Sequence, residues 1–222
     1  YSIHFKMKTK NLFSWELFRN MPVIGIIRNL SVENVEEIAP LFQNSGLTTL
    51  EITLNTKNAL PIIKRLCLKY TDLNIGAGTV LELNDLKAAI DHGASFIVTP
   101  VLNEEIIIYC VKHGIPVLPG AFTSTEIYKA WKCGASAIKI FPASQLGPSY
   151  IKELKLPLNE IKLLPTGGIS IENLEDYFKA GATGVGMGSS LFDKKLILAG
   201  DMKNLSLHFR KIVATVRKFI KS

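Results

Sequence analysis

Lys139 stands in the run Ala135-Ser-Ala-Ile-Lys-Ile-Phe-Pro, which has the apolar, β-branched make-up of a buried strand. Strand alternation puts Ile138 and Ile140 on one side and turns Lys139 and Phe141 to the other. Burial disfavours the ammonium form, so a lysine held there tends toward the free amine, a nucleophile for carbonyl carbon. Lys139 is therefore a candidate for imine formation. On this strand alone, a lysine that reaches out to solvent or pairs structurally leaves the same pattern. A second polar intrusion stands in Thr49-Leu-Glu-Ile-Thr-Leu-Asn, where alternation gathers Thr49, Glu51 and Thr53 on one side. An inward carboxyl is costly unless paired or protonated, and either state suits proton transfer. A structural Glu51–Lys139 ion pair is the plainer alternative.

Other chemistry-bearing groups mark the ends of further apolar runs. Val23-Ile-Gly-Ile-Ile-Arg closes on Arg28, whose fork suits a carboxylate held at two points, or a rim salt bridge. Thr79 follows Gly76-Ala-Gly78, a hydroxyl beside two residues that let a ligand come close; a turn threonine reads alike. Pro165-Thr-Gly-Gly-Ile-Ser and Gly184-Val-Gly-Met-Gly-Ser-Ser leave backbone N–H groups open, which suits a phosphate. Tight turns without a ligand are the alternative there.

A repeat must position these groups. Short β-rich runs begin near Val23, Thr49, Asn74, Ser95, Pro116, Ala137, Lys162 and Gly184, at spacings of 21–26 residues, with amphipathic helical patterns between them. Gly46, Gly93, Gly114, Gly134 and Gly181 end helices, while Asn103, Thr123 and Ser170 begin them. Eight strand–helix units with apolar strands predict a parallel sheet covered by helices, and eight is the number that closes a (β/α)8 TIM barrel. A doubly wound open sheet is the runner-up, but Gly184-x-Gly186-x-Gly188 follows no first strand and lacks the later acidic partner. In barrels, phosphate binds after strands seven and eight, where both Gly-rich runs fall. The expected organisation is a basic helical segment, 1–20, and one barrel domain, 21–222, that includes the C-terminal helix.

Composition narrows the function. With 222 residues, 47% hydrophobic and 20% charged, the chain excludes disorder and allows one large domain. Cys67, Cys110 and Cys133 form no CxxC, and His4, His92, His113 and His208 show no metal-ligand spacing, so no metal or other cofactor is expected. His92 and His113, each one residue before a helix-ending glycine, suit the negative end of a helix. The net charge of +7 gathers at the ends, +3 over 1–20 and +6 over 193–222, which leaves the body slightly acidic. The last helix sets Phe209, Ile212, Val213, Val216, Phe219 and Ile220 against Arg210, Lys211, Arg217, Lys218 and Lys221 on its other face. That is a docked helix with a solvated basic face, so no nucleic-acid partner is expected. No apolar run is long enough for a membrane span. No signal peptide is read, residues 1–6 ahead of Met7 read as a start-site remnant, and the expected compartment is the cytoplasm.

Taken together, Leu50-Glu51-Ile-Thr-Leu, Gly76-Ala-Gly-Thr-Val, Val98-Thr-Pro100, Pro119-Gly120, Lys139-Ile-Phe141-Pro142, Pro165-Thr-Gly167-Gly168-Ile and Gly188-Ser189 resemble the class I 2-keto-3-deoxy-6-phosphogluconate (KDPG) aldolases and their relatives, from about Met21 to Phe192. The resemblance implies retro-aldol cleavage to pyruvate and D-glyceraldehyde 3-phosphate. It makes Lys139 the imine-forming residue and Glu51 the proton carrier. Arg28 and Thr79 would hold the pyruvate carboxylate, Pro100 and Phe141 would wall the pocket, and Gly167, Gly168, Gly188 and Ser189 would cradle the phosphate. It also implies a homotrimer, and partners limited to a keto-deoxy sugar-acid phosphate and pyruvate.

One loop departs from the pattern. Leu54-Asn55-Thr56 carries Asn where many phosphogluconate-type members carry Arg. With Arg28 and Gln145-Leu-Gly-Pro-Ser-Tyr-Ile it looks more like the 2-dehydro-3-deoxy-6-phosphogalactonate branch, whereas Pro165-Thr166 looks like the phosphogluconate type. 4-Hydroxy-2-oxoglutarate is a further substrate of related enzymes. A sugar-phosphate epimerase or isomerase, or a non-catalytic sugar-phosphate sensor, are the competing classes. An epimerase has no use for Lys139, and a sensor has none for Lys139 with Glu51.

Overall fold

The computed structural model describes residues 12–220. Lys6, Lys8 and Lys10 of the expected basic segment, His4 and Lys221 lie outside the described residues. The strands are β1 (Val23–Ile27), β2 (Thr49–Thr53), β3 (Asn74–Gly78), β4 (Ile97–Val98), β5 (Val117–Leu118), β6 (Gly120–Ala121), β7 (Ile138–Ile140), β8 (Leu163–Pro165) and β9 (Val185–Met187). A short α1 (Trp15–Asn20) precedes them. Between strands run α2 (Val32–Ser45), α3 (Ala59–Lys69), α4 (Leu83–Asp91), α5 (Glu104–Lys112), α6 (Ser124–Lys132), α7 (Gly147–Lys155) and α8 (Leu174–Lys179). After β9 come α9 (Lys194–Leu198) and α10 (Met202–Arg217).

Every strand pair is parallel, as apolar strands alternating with helices require. The parallel strands curl as two hydrogen-bonded sheets, ordered β5-β4-β3-β2-β1-β9 and β6-β7-β8. The division falls at Pro119, which has no N–H for a ladder and splits the fifth strand of the repeat into β5 and β6. At the opposite seam a lone parallel bridge joins Thr166 to Gly186.

Alternation sorts the apolar side chains into two layers. Leu50, Ile52, Ile138 and Ile140 pack outward against the helices, whereas Ile24, Ile26, Phe96, Val98, Leu118 and Leu164 fill the space the strands enclose. Gly76 makes room for the largest of these, since a Cβ there would lie 2.4 Å from the Phe96 ring. At the N-terminal end of the strands Phe18 of α1 joins this inner cluster, with Phe13 and Trp15 packed on it. Phe13 meets Phe96 edge-on at 5.3 Å between ring centroids. Asn74 fixes this floor by accepting the Ser14 N–H at 2.7 Å and donating to the Ser14 carbonyl at 3.0 Å.

Local signals explain the helix ends. The five helix-ending glycines all hold positive φ. Thr123 and Glu126 form a capping box, and Asn103 caps α5. His92 and His113 each place Nδ1 2.7 Å from a carbonyl of their own helix's last turn. The expected start at Ser170 is corrected: α8 begins at Leu174 after a turn, because Asn173 rather than Ser170 supplies the side chain that closes it, accepting the Ser170 N–H at 2.9 Å. α10 ends at Arg217, short of the expected Ile220, and Phe219 instead stacks on Phe178. Among the described residues no helix is long and apolar enough to cross a membrane.

Candidate active site

Lys139 is the central residue of β7, paired in register with Gly120 on one side and Leu164 on the other. Its side chain points inward and is 5% exposed, with Nζ 5.0 Å from the Phe141 ring centroid. Desolvation holds its pKa below the ordinary lysine range, and the Arg28 charge acts in the same direction, while Glu51 opposes both. Glu51, in the middle of β2, is 1% exposed, and its Oε1 has no hydrogen-bond partner. Burial pushes its carboxyl above the ordinary range, against the smaller pull of Lys139 and Arg28. Burial thus opposes the charge on each group while each partly sustains the other's, an amine and a carboxyl poised for the addition and proton transfer an imine-forming reaction needs.

The space for the Glu51 carboxyl is made by a glycine. A Cβ at Gly78 would stand 1.6 Å from Glu51 Oε1. Gly78→Ala is therefore expected to displace the carboxyl and lower kcat by about 10- to 100-fold with little loss of Tm. Gly76→Ala, which meets the Phe96 ring instead, should cost about 1–3 kcal/mol of stability. Wild-type turnover in Gly78→Ala would remove Glu51 from the reaction.

A cavity of about 330 Å³ opens at the C-terminal ends of the strands. It gathers Arg28, Lys139, Phe141, Gly167, Gly168, Gly188 and Ser189 of the residues singled out in the sequence. Glu51, buried in β2, does not itself line this cavity, and neither do Thr79 or Pro100, which follow β3 and β4. Asn55 and Gln145, read as marks of substrate type, also stand outside its lining. Thr79 holds φ +56, a left-handed conformation unusual for a β-branched residue.

One end of the cavity is a cradle of backbone donors. Gly167 and Gly168 hold φ +91 and +76, and a Cβ at Gly168 would lie 2.5 Å from Ser144 Cβ, so only glycine fits. Among the described residues the N–H groups of Gly168, Ile169, Ser189 and Ser190 have no protein acceptor. Open amides around a concave, partly enclosed space form an anion site of the kind that suits phosphate. The Ser190 hydroxyl ties the two halves of the cradle by donating to the Ile169 carbonyl.

Several contributors were not singled out in the sequence. Thr56, 3% exposed, accepts the Asn29 N–H at 3.0 Å and lies 3.0 Å from the Thr53 hydroxyl, which donates to Ile27 O. The loop after β2 thereby pins the loop that carries Arg28. Lys194 and Ser170 also line the cavity. Ser170 ends the Gly-rich run already read as phosphate-binding, whereas Thr56 and Lys194 gain these tasks only through tertiary contact. Among the described residues no group of three or more His, Cys, Asp or Glu could hold a metal ion.

The chain is 37% identical over 184 residues to the 2-dehydro-3-deoxy-phosphogluconate aldolase of Pseudomonas aeruginosa, covering 82% of each protein. It is also 37% identical over 174 residues to the 2-dehydro-3-deoxy-6-phosphogalactonate aldolase of Escherichia coli K12, covering 78% of this chain and 85% of that one. A solved structure of KDPG aldolase from Legionella pneumophila, with pyruvate captured at low pH as a covalent carbinolamine intermediate, superposes with a TM-score of 0.82 at 28% identity, covering 88% of this chain and 96% of that one. The family model for KDPG and KHG aldolase matches residues 15–207, and the chain belongs to that family.

Proposed function

We propose that this protein is a class I aldehyde-lyase that cleaves 2-dehydro-3-deoxy-6-phosphogluconate to pyruvate and D-glyceraldehyde 3-phosphate. The observation that carries the reading is the buried Lys139–Glu51 pair set beneath a cradle of open amides. The Lys139 amine adds to the C2 ketone to give a carbinolamine, and a proton from Glu51 lets water leave, forming the protonated imine. The Glu51 carboxylate then takes the C4 hydroxyl proton as the C3–C4 bond breaks and its electron pair moves into the imine. The resulting enamine takes that proton back at C3, and water releases pyruvate from Lys139.

Arg28 and Thr79 hold the pyruvate-end carboxylate, Pro100 and Phe141 wall the reacting carbons, and Gly167, Gly168, Gly188 and Ser189 hold the phosphate. Borohydride reduction with pyruvate, followed by peptide mapping, is expected to place the adduct on Lys139. Folded protein without an adduct would overturn the mechanism. The equal identity to a gluconate-type and a galactonate-type relative makes the C4 epimer the second reading. Pyruvate release from each epimer, followed with lactate dehydrogenase, separates the two.

The catalytic unit is read as a closed eight-stranded barrel over 21–222, with the Thr166–Gly186 bridge and the run through Pro119 as its seams. It acts as a cytoplasmic homotrimer. Exposed Ile108 and Val111 on α5, Tyr128 on α6 and nearby Val101 and Phe122 supply an apolar surface for subunit contact. Light scattering should return three times the mass of the chain; a monomer would refute the assembly.

A further inference from the structure

The turn after β9 is closed by its own first carbonyl, since Gly188 O accepts the Leu191 N–H at 3.0 Å and the Phe192 N–H at 2.9 Å. With these two amides engaged, those of Ser189 and Ser190 are the turn's open donors, in residues that line the cavity. What fixes their direction is the rest of the turn. The Ser190 carbonyl faces α10, where His208 Nε2 stands 2.7 Å away. A carbonyl oxygen only accepts, so Nε2 carries the proton and donates. Ser190 Oγ reaches across to Ile169 O in the other half of the cradle.

A parallel tie runs through the turn before α8. The Ser170 hydroxyl, in the cavity lining, bonds the Glu172 carboxylate. That carboxylate is held below the ordinary range first by Ser170, then by its own backbone. His208 therefore grips the β9 turn directly. It does so from a helix anchored in the core by Leu205, Phe209 and Ile212.

We propose that His208 is a positioning residue for the phosphate end of the site, holding Ser190 so that the turn's open amides keep their aim. The imidazole touches no substrate atom in this scheme, and the assignment rests on the aldolase reading only for the choice of substrate. Its loss leaves the half-buried Ser190 carbonyl without its donor and frees the turn to rotate, which weakens binding of the phosphate without altering the Lys139–Glu51 pair.

The test compares His208→Ala with His208→Gln, whose side-chain amide offers a donor of similar reach. His208→Ala is expected to raise KM for the phosphorylated substrate about tenfold, with kcat within about twofold. KM for 4-hydroxy-2-oxoglutarate, which has no phosphate, and borohydride capture of pyruvate should stay at wild-type values. His208→Gln should recover most of the KM. A second readout needs no turnover: stabilisation by inorganic phosphate, read as a Tm shift, should require about tenfold more phosphate in His208→Ala. An unchanged KM and phosphate requirement, or a parallel rise for both substrates, would overturn the proposal. Failure of the aldolase reading itself would be seen separately, as wild-type protein that binds phosphate yet captures no pyruvate.

Discussion

Lys139→Ala is expected to lower turnover by at least about 10,000-fold and to abolish borohydride capture of pyruvate, while leaving the circular dichroism spectrum unchanged. The size of the effect follows from what the amine supplies. Without an imine there is no sink for the electron pair of the C3–C4 bond, and neither Glu51 nor the anion cradle can provide one. Lys139→Arg should fail nearly as completely, because guanidinium does not lose its proton in the accessible pH range. Retained turnover in either variant would mean that the bond is broken by another route.

Glu51→Gln is expected to lower kcat by about 100- to 10,000-fold, with KM changed far less. Its pH behaviour carries a more searching check. The carboxylate charge is what raises the Lys139 pKa, against desolvation and Arg28, so its removal must lower that pKa further. The pH midpoint for arylation of the Lys139 amine should therefore move down in Glu51→Gln. An upward move would show that the two groups do not sense each other. Stability should shift as well. A carboxyl whose folded pKa is raised loses stability as pH climbs above its ordinary 4.5, because the unfolded chain gives up the proton first. Glu51→Gln lacks that loss, so its Tm should exceed the wild-type value at neutral pH, and the gain should vanish below about pH 4.5.

Period and parity made much of this site legible in the sequence. Strand spacing gave the order of the elements, and alternation alone put Lys139, Glu51 and Phe141 on the inner side of their strands. Glycine pairs after the last two strands marked the cradle because positive φ and close approach leave few other residues possible. What stayed hidden depends on contacts between distant segments. The break at Pro119 is a matter of hydrogen-bond register, and a run such as Pro116–Ala121 reads the same whether its ladder is continuous or divided. Thr56 acts by reaching the Asn29 amide of another loop, and His208 by reaching a carbonyl 18 residues earlier in the chain. Neither pairing leaves a local signal. The start of α8 is hidden for a related reason: the turn from Ser170 to Asn173 is closed by the Asn173 side chain reaching back to the Ser170 N–H, a contact that a serine before Glu172 does not announce.

The aromatic floor built by Phe13, Trp15, Phe18 and Phe96 has a kinetic meaning. With the N-terminal end of the strands filled by packed rings, the space around Lys139 is approached from the rim. In the proposed reaction the three-carbon fragment stays bonded to Lys139 after the C3–C4 bond breaks, while the phosphorylated aldehyde is free to leave. Departure must then be sequential, aldehyde first and pyruvate last. In the synthetic direction pyruvate must enter before the aldehyde can be accepted.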